Sequence, residues 1–549
     1  MEWAPDRAFA RSTPKELASL VCAKSKVTVR KTPSRFRYGI GVRSIVNNRR
    51  TDPDATGHDP QATIPLAGGG CIPSLGLGAW LILALLCVGC AVGEAQATNT
   101  LNPGFQWLGK IKPRAAQDIA GSSWSIGGET LDRDFGVYAN YKKFLGPLGA
   151  KAIRLQAGWA RCETKPGVYD FAWLDEVVND ALAQGVQPWL EASYGNQLYP
   201  DGGGTGLGGA LPKSPQALTA WDNWVRAVVK RYQDRVNEWE IWNEPDLGPS
   251  PAEEYAEFFI RTAEAIRGEQ PKARIYALAL AHKVPYAESF LARVHQRGKL
   301  MLIDAITVHS YPNNPNDTRN IDQLRAIIAP LGRPIAVRQG ETGATSKYQE
   351  NFALKKLPMT ETTQAKWNLR RMLVHHGKDV PFNLFTMIDL HYRWGGKLDM
   401  NYKGLLASRE DQAVAYAKPA YFAAQNVFAV FDDTLIHMAD FPFTASSTNR
   451  IALYAWRQKA TGKQAVTIWF SGAMPTDSNV TTPLDITLAR GGFTEPVYAD
   501  LRTGEAYSIP GANWSRAGGG VVLRQIPIYD SPILIAEKGV LSVETTTAP

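Results

Sequence analysis

Strand-like apolar runs alternate with helix-like segments between residues 121 and 428, and this alternation constrains the fold more than any other feature. The predicted strands are Ser122–Ile126, Lys151–Gln156, Val186–Ala192, Val236–Asn243, Arg274–Leu280, Ile303–His309, Ile335–Glu341 and Phe382–Asp389. The predicted helices are Asp134–Leu148, Trp173–Gln184, Ser214–Asp234, Pro251–Gln270, Val284–Arg297, Ile321–Leu331, Thr360–His376 and Ala413–Phe428. Eight βα units over about 300 residues predict a (β/α)8 TIM barrel, which belongs to the α/β class.

The pattern changes after Asn426 to short alternating runs that are separated by Gly, Asn, Asp and Pro. Such spacing is typical of an antiparallel β-sandwich, here of about 120 residues. The predicted organisation is an N-terminal extension over residues 1–97, the barrel over residues 98–428 and the β-sandwich over residues 429–549.

The charge distribution argues against a nucleic-acid-binding protein. The chain carries 60 Lys and Arg against 52 Asp and Glu, a formal net charge of +8. Residues 1–97 hold 12 basic and 7 acidic side chains, so +5 of that charge lies there and +3 is left for the rest of the chain. A nearly neutral body lacks the basic surface that phosphate backbones require, and no nucleic-acid partner is expected.

The N-terminal extension resembles an export signal. An apolar run from Leu75 to Val92 precedes Glu94-Ala-Gln-Ala97, which has the small-x-small pattern of a signal-peptidase site. Cleavage after Ala97 predicts an exported protein, periplasmic or extracellular. Two alternatives remain open: an uncleaved signal-anchor, which would tether the protein to the membrane, and lipidation at Cys90.

Two glutamates stand at the ends of predicted strands. Motifs of zinc proteases, P-loop NTPases and α/β-hydrolases are missing from the sequence. Instead, Trp-Asn-Glu244-Pro ends the fourth strand and Gln-Gly-Glu341-Thr ends the seventh. Because the C-terminal ends of barrel strands face one cleft, we expect Glu244 and Glu341 to converge there. Two carboxyls about 5–5.5 Å apart are the pair of a retaining glycosidase.

The Asn-Glu-Pro sequence at strand four and the glutamate at strand seven resemble clan A (β/α)8 retaining glycoside hydrolases. Ala152-Ile-Arg-Leu155 and His309-Ser-Tyr-Pro312 bring the resemblance nearest to family 39, with families 5, 30 and 42 as alternatives. The resemblance implies that Glu244 is the general acid/base and Glu341 the nucleophile. It further implies that Arg154 and Tyr311 support the nucleophile and that Asn243 holds the sugar 2-hydroxyl.

Further residues are candidates for binding the sugar. Aromatic platforms are expected because sugars present apolar ring faces, and the candidates are Trp394, Trp159 and Tyr194, together with Trp242. His309 is either a substrate contact or a structural hydrogen-bonding residue. Gly340, directly before the predicted nucleophile, indicates a bulge or a close backbone approach.

The sequence thus predicts an exported retaining glycoside hydrolase that cleaves β-linked oligo- or polysaccharides by double displacement. Neither a metal nor an organic cofactor is expected. The alternative is a non-catalytic extracellular carbohydrate-binding protein on the same barrel, and a wide or blocked gap between the two carboxyls would favour it.

Overall fold

The structure is a computed structural model that describes residues 101–394 and 396–545. A closed barrel of parallel strands forms its centre, and the predicted (β/α)8 fold is confirmed. The barrel strands are β2 (Trp124–Gly127), β3 (Ala152–Gln156), β4 (Gln187–Ala192), β5 (Glu238–Ile241), β6 (Arg274–Leu280), β7 (Ala305–His309), β8 (Ala336–Thr342) and β9 (Phe382–Leu384). Each pairs in parallel with the next, and β9 closes the ring on β2.

Helices follow the barrel strands and bury one face against them. The α-helices are α1 (Tyr138–Tyr141), α2 (Leu145–Leu148), α3 (Trp159–Cys162), α4 (Ala172–Ala183), α5 (Pro215–Tyr232), α6 (Ala252–Glu269), α7 (Val284–Gln296), α8 (Arg319–Ile328), α9 (Glu361–His376) and α10 (Pro419–Val430). Helix α5 begins at Ser214, whose side chain accepts a hydrogen bond from the Ala217 amide, and Pro215 occupies its first turn.

Two predicted helices differ from the structure. The single helix expected over 134–148 is broken into α1, a 3-10 turn at Lys142–Phe144 and α2. Pro147 has no amide hydrogen to donate to the carbonyl of Lys143, four residues earlier, so a continuous α-helix would lack a hydrogen bond at this turn. The helix expected from Ala413 begins only at Pro419, and residues 414–417 form a strand instead. The residue before a proline prefers an extended backbone, and proline is favoured in the first turn of a helix.

Two small hairpins lie between the last barrel strand and α10. Strand β10 (Leu390–Trp394) pairs with β11 (Lys397–Asn401), and β12 (Leu406–Ser408) pairs with β13 (Val414–Ala417), both antiparallel. No strand was predicted at residues 390–417. Backbone hydrogen bonds between Leu406 and residues 387 and 389 join the second hairpin to the segment after β9.

The C-terminal region is an antiparallel sandwich, as predicted. Its strands are β14 (Leu435–His437), β15 (Phe443–Ala445), β16 (Ile451–Gln458), β17 (Gln464–Phe470), β18 (Thr482–Leu488), β19 (Pro496–Asp500), β20 (Glu505–Ser508), β21 (Trp514–Ala517), β22 (Gly520–Ile528), β23 (Ile533–Glu537) and β24 (Val543–Glu544). Strands β15, β18, β22 and β21 form the smaller sheet, and a separate apolar core packs between it and the larger one.

Strand β1 (Gln106–Ile111) changes the predicted division of the chain. It precedes the barrel in sequence but pairs with β20 and β24 of the larger C-terminal sheet. The boundary of the barrel at residue 98 is therefore wrong, because residues 106–111 belong to the sandwich. The backbone hydrogen bonds of a sheet edge can be satisfied by any extended segment that reaches it, so sequence order does not decide this pairing.

The predicted export signal and Cys90 lie outside the described residues. Within residues 101–394 and 396–545, no helix combines the length and the apolar character that crossing a bilayer requires.

Candidate active site

The backbone around Glu244 departs from regular strand geometry. Strand β5 ends at Ile241, and both Trp242 (φ 64°) and Glu244 (φ 49°) adopt the left-handed conformation. Pro245 then begins a 3-10 turn. These departures interrupt the alternation of side chains along the strand. As a result Glu240 points into the buried barrel, whereas Glu244 lies at the C-terminal end of the barrel.

Glu341 is part of β8, and a bulge precedes it. Val308 pairs with Gln339 and His309 with Glu341, which leaves Gly340 without a partner in the ladder. A Cβ atom at Gly340 would lie 3.0 Å from the Thr307 Cβ and 3.2 Å from Nε2 of His309. Gly340 thus accounts for both features that the sequence indicated, the bulge and the close approach.

The two carboxyls meet at the end of the barrel. One oxygen of Glu244, one oxygen of Glu341 and one ring nitrogen of His309 all lie within 4.8 Å of one another. Nδ1 of His309 lies 2.8 Å from Oε1 of Glu244 and 3.5 Å from Oε2 of Glu341. Both carboxyls keep some exposure, 11% for the Glu244 side chain and 16% for that of Glu341. The gap between the two carboxyls is therefore narrow, and both carboxyls are partly exposed to solvent.

Two donors hold the carboxyl of Glu341 in place. The Tyr311 hydroxyl donates to Oε1 over 2.6 Å, and Nη1 of Arg154 donates to Oε2 over 3.4 Å. Tyr311 follows β7 and Arg154 lies on β3, so elements on different sides of the barrel converge on one carboxylate.

Glu244 has a different environment. Burial, followed by the negative charge of Asp246, raises the pKa of Glu244 to about 8. Asp246 accepts hydrogen bonds from the backbone amides of residues 281, 282 and 283, which lie in the loop after β6. Glu244 is therefore protonated at neutral pH, and Asp246 also anchors the neighbouring loop.

Burial lowers the pKa of His309 to about 4. The imidazole beside Glu244 is consequently neutral at neutral pH. The atoms of Glu244, His309 and Glu341 would also suit a divalent cation. The expected absence of a metal stays a prediction.

Arg154 is the centre of a buried cluster of acids. Its guanidinium is fully buried and donates to Glu129 (Nη1 to Oε1, 2.9 Å), to Glu240 (Nε to Oε2, 2.7 Å) and to Glu191. Burial raises the pKa of both Glu129 and Glu191. Because three carboxyls share this one guanidinium, its position is fixed, and it in turn fixes the positions of the groups around it.

Asn243 also belongs to this network. Its Oδ1 accepts from Nη2 of Arg154 over 2.9 Å, and its Nδ2 donates to the Tyr194 hydroxyl over 2.8 Å. The sequence singled out Arg154 and Asn243 but did not identify Glu129 or Glu191. Glu129 follows strand β2, and Glu191 lies near the end of strand β4. Their position at the C-terminal ends of barrel strands is the sequence feature that could have identified them as site residues.

The predicted aromatic platforms are largely inaccessible. Trp159 is fully buried, its ring stacks on Tyr199 at 5.6 Å, and its Nε1 donates to Glu163 over 2.6 Å. The platform role of Trp159 is therefore wrong, because α3 packs this indole into the helical layer of the barrel. Tyr194 is 2% exposed, and the Arg133 guanidinium covers its ring at 4.8 Å.

Trp242 is likewise buried, against Tyr194 and Phe258. The side chain of Trp394 lies outside the described part of the structure.

A different set of rings borders the carboxyls. Phe135, Tyr392 and Phe352 form an aromatic row, with centroid distances of 4.7 Å and 4.9 Å between neighbours. All three are half-buried. Arg133 lies over Phe135 at 5.4 Å, and Lys403 lies 5.9 Å from the Phe352 ring. No sequence pattern pointed to this row, because its members come from two loops and from strand β10, which are far apart in the sequence.

Residues 157–332 match the model of the family described as glycosyl hydrolases family 39. A β-xylosidase of Geobacillus stearothermophilus is 28% identical over 127 residues, which is 21% of this chain and 25% of that enzyme. A β-galactosidase of Geobacillus kaustophilus is 27% identical over 121 residues, 19% of this chain and 18% of that enzyme. The chain therefore matches about a quarter or less of the length of these curated relatives.

Solved structures show the same fold. A family 39 glycoside hydrolase of Bacteroides cellulosilyticus superposes with a TM-score of 0.55 at 18% identity, covering 76% of this chain and 81% of that one. A monomeric β-xylosidase of Caulobacter crescentus superposes with a TM-score of 0.51 at 17% identity, covering 78% and 97%. Together with the family match over residues 157–332, these findings confirm the fold and the resemblance to clan A glycoside hydrolases, nearest to family 39.

Proposed function

We propose that this chain, whose residues 157–332 match glycosyl hydrolases family 39, is a retaining glycoside hydrolase acting on β-linked oligo- or polysaccharides. Glu341 is the nucleophile and Glu244 the general acid/base in this proposal. The observation that carries it is the approach of one oxygen from each carboxyl to within 4.8 Å. Such an approach fits the separation of about 5–5.5 Å in retaining enzymes and not the ~6.5–9.5 Å of inverting ones.

The surroundings of the two acids fit the two roles. Glu244 is protonated at neutral pH, since its pKa is raised to about 8, and it can deliver that proton to the departing glycosidic oxygen. The Glu341 oxygens accept hydrogen bonds from Tyr311 and Arg154. Glu341 attacks the anomeric carbon, the bond to the leaving oxygen breaks, and a glycosyl-enzyme forms. Water then attacks this intermediate, with Glu244 as base, and releases Glu341.

A carbohydrate-binding protein without turnover is the weaker alternative. A wide or blocked gap would have favoured it, whereas the two carboxyls are close together and both are partly exposed. The contacts of Tyr311 and Arg154 with Glu341 have no evident use in a site that only binds.

Azide rescue tests the assignment of the nucleophile. Glu341→Ala should abolish turnover of an activated aryl β-glycoside, and azide should restore activity by occupying the space of the missing carboxylate. The product should be a glycosyl azide of inverted configuration. Glu350→Ala is the matched control, because Glu350 is exposed and lies in the loop after β8; it should retain full activity. Failure of rescue across several aryl glycosides that still bind would contradict the proposal.

We further propose that the protein acts outside the cytoplasm, on the basis of the apolar run Leu75–Val92 and the small-x-small pattern ending at Ala97. Intact-mass measurement of the exported protein should show a chain that begins at residue 98. An unprocessed N-terminus would instead favour the signal-anchor.

A further inference from the structure

A groove on the outer rim of the barrel is lined by residues that the proposed mechanism does not use. Its volume is about 520 Å³, and its walls are the loop between α3 and α4, the loop after β4 and the first turns of α5. Tyr169, Tyr199, Gln216 and Asn223 are among the lining residues, and we call it the rim groove. Ligand pockets of proteins typically measure ~300–1,000 Å³, so the rim groove is large enough for a small ligand.

The lining of the rim groove is polar but uncharged. None of its eight lining residues is Asp, Glu, Lys or Arg. A second groove, between α5 and α6, is lined mostly by charged side chains, and Arg261 pairs there with Asp222 over 2.8 Å. A charged ligand would lose hydration in the rim groove without gaining a counter-ion, so the lining favours a neutral ligand.

One wall of the rim groove offers unused hydrogen-bonding groups. Gln216, Thr219 and Asn223 lie on one face of α5, three and four residues apart, and all three are exposed. The Thr219 hydroxyl donates to the Pro215 carbonyl over 2.8 Å, whereas the amides of Gln216 and Asn223 bond to no residue that the structure describes. Each amide supplies both a donor and an acceptor, which is what a sugar hydroxyl requires.

The opposite wall is aromatic and rigid. The Tyr199 ring stacks on Trp159 at 5.6 Å, and its hydroxyl donates to the buried carboxylate of Glu163. The same carboxylate accepts from the Gly167 amide, and the half-buried Tyr169 lies two residues further on. Tyrosine rings pack on the apolar faces of sugars. Because this wall is fixed before a ligand arrives, binding costs little ordering entropy.

The rim groove lies at the same end of the barrel as the two carboxyls. Helix α5 follows β4, so its first turns stand at the C-terminal end of the strands. Tyr199 comes five residues after Tyr194, whose hydroxyl accepts from Nδ2 of Asn243, the neighbour of Glu244. A chain spans at most ~3.6 Å per residue, so the Cα atoms of the two tyrosines are no more than ~18 Å apart.

We propose that the rim groove is a second saccharide-binding site, which binds a neutral polysaccharide and keeps it close to the catalytic cleft. The uncharged lining, the unused amides on α5 and the fixed tyrosine wall support this ligand class. The inference rests on the proposed function, because it takes the bound polymer to be the substrate of Glu244 and Glu341.

Binding of soluble polymers tests the proposal. Glu341→Ala serves as the parent, because it should bind the polymer without degrading it. Isothermal titration with xylan, β-1,4-galactan and mixed-linkage β-glucan should show binding of at least one. Adding Gln216→Ala and Asn223→Ala should weaken that binding about fivefold or more, because two hydrogen-bonding side chains are lost. Alanine favours a helix, so α5 should stay folded, and a circular-dichroism melt verifies this.

The matched control carries Asn320→Ala and Gln323→Ala. These are the same two residue types, three positions apart on α8, a helix that lines no part of the rim groove. The control should bind the polymer as the parent does. Thr219→Arg is an independent second variant, because its long side chain fills the groove, and it should weaken polymer binding to a similar extent.

Catalysis supplies a second measurement. With Glu341 intact, the Gln216→Ala and Asn223→Ala pair should lower kcat/KM on the polysaccharide about fivefold or more relative to kcat/KM on an aryl glycoside. An aryl glycoside is too short to occupy the cleft and the rim groove together. Equal losses on both substrates would overturn the proposal, because they would show a general effect on the enzyme.

The remaining outcomes separate this inference from the proposed function. Unchanged polymer binding in both groove variants, or no binding of a neutral polymer by the parent, would overturn the rim groove as a saccharide site and leave the glycosidase proposal intact. Groove-dependent binding of polygalacturonate alone would overturn the neutral ligand class. Groove-dependent binding of a neutral polymer, together with failure of azide rescue in Glu341→Ala, would contradict the mechanism alone.

Discussion

Glu244 and Glu341 carry the same functional group, but their surroundings differ. Glu244 is buried beside Asp246, and its pKa is raised to about 8. Glu341 accepts hydrogen bonds from Tyr311 and Arg154. In the mechanism that we propose, this difference in environment, more than the identity of the side chain, assigns proton donation to Glu244 and attack to Glu341.

The pH dependence of activity should report the protonation of Glu244. Because the acid must carry its proton, kcat/KM should fall as the pH rises through about 8. Glu244→Gln should lower turnover of unactivated glycosides by about 10²–10⁴-fold. On an aryl glycoside whose leaving group needs no proton, the variant should cleave the bond without this alkaline decline. If the decline in kcat/KM near pH 8 persists in Glu244→Gln, a titrating group other than Glu244 causes it.

Among the strands, the bulge on β8 has the most direct consequence for the site. Gly340 lets β7 and β8 approach so closely that Nε2 of His309 would lie 3.2 Å from a Cβ at this position. His309 in turn holds Glu244 through Nδ1. The two strands and their bulge thus set the distance between the carboxyls.

Gly340→Ala should therefore disturb activity as well as stability. The added methyl group must displace Thr307 or His309, at a cost of about 1–3 kcal/mol in the free energy of unfolding. We expect kcat to fall because His309 and Glu244 move together. Gly511→Ala is the control, since a Cβ there meets no atom within 4 Å. Denaturant unfolding measures the loss of stability, and initial rates measure kcat. If Gly340→Ala is destabilised but its kcat is unchanged, the bulge has no role in positioning the catalytic groups.

At the level of the whole molecule, helix α9 joins the barrel to the sandwich. The helix is buried along almost its entire length, and the main apolar core continues from the barrel to Trp456 and Trp469 of the larger C-terminal sheet. Lys366 of α9 donates to Asp530 and to the carbonyl of Thr476. Strand β1 adds a second connection, because it precedes the barrel and pairs within the same sheet.

Lys366→Met should destabilise both parts of the molecule together. It leaves Asp530 without its cation, but this carboxyl is 20% exposed and keeps its hydrogen bonds from Thr476, so the cost should be less than the ~3–5 kcal/mol of a fully buried pair. Lys538→Met removes an exposed pair with Glu495 and should cost about 1 kcal/mol or less. Calorimetry should show one transition, lowered in Lys366→Met. Two separate transitions in the wild type would contradict the coupling.

Local signals were sufficient to predict the barrel, the sandwich and the two glutamates at strand ends. Apolar periodicity depends on neighbouring residues, and Asn-Glu-Pro at the end of β5 is a local pattern. The break in the first helix and the start of α10 at Pro419 also have local causes, because a proline lies at each of them. The burial of Trp159, in contrast, depends on packing against Trp221 and Trp224, which are distant in sequence.

Sequence thus determined which carboxyls stand at the cleft, because the C-terminal end of a parallel strand always opens on that side of a barrel. Tertiary structure decided what depends on long-range distance: the raised pKa of Glu244, the cluster around Arg154 and the aromatic row. Desolvation and Coulomb interactions act through space, and residues from loops far apart in the chain become neighbours only when the barrel closes.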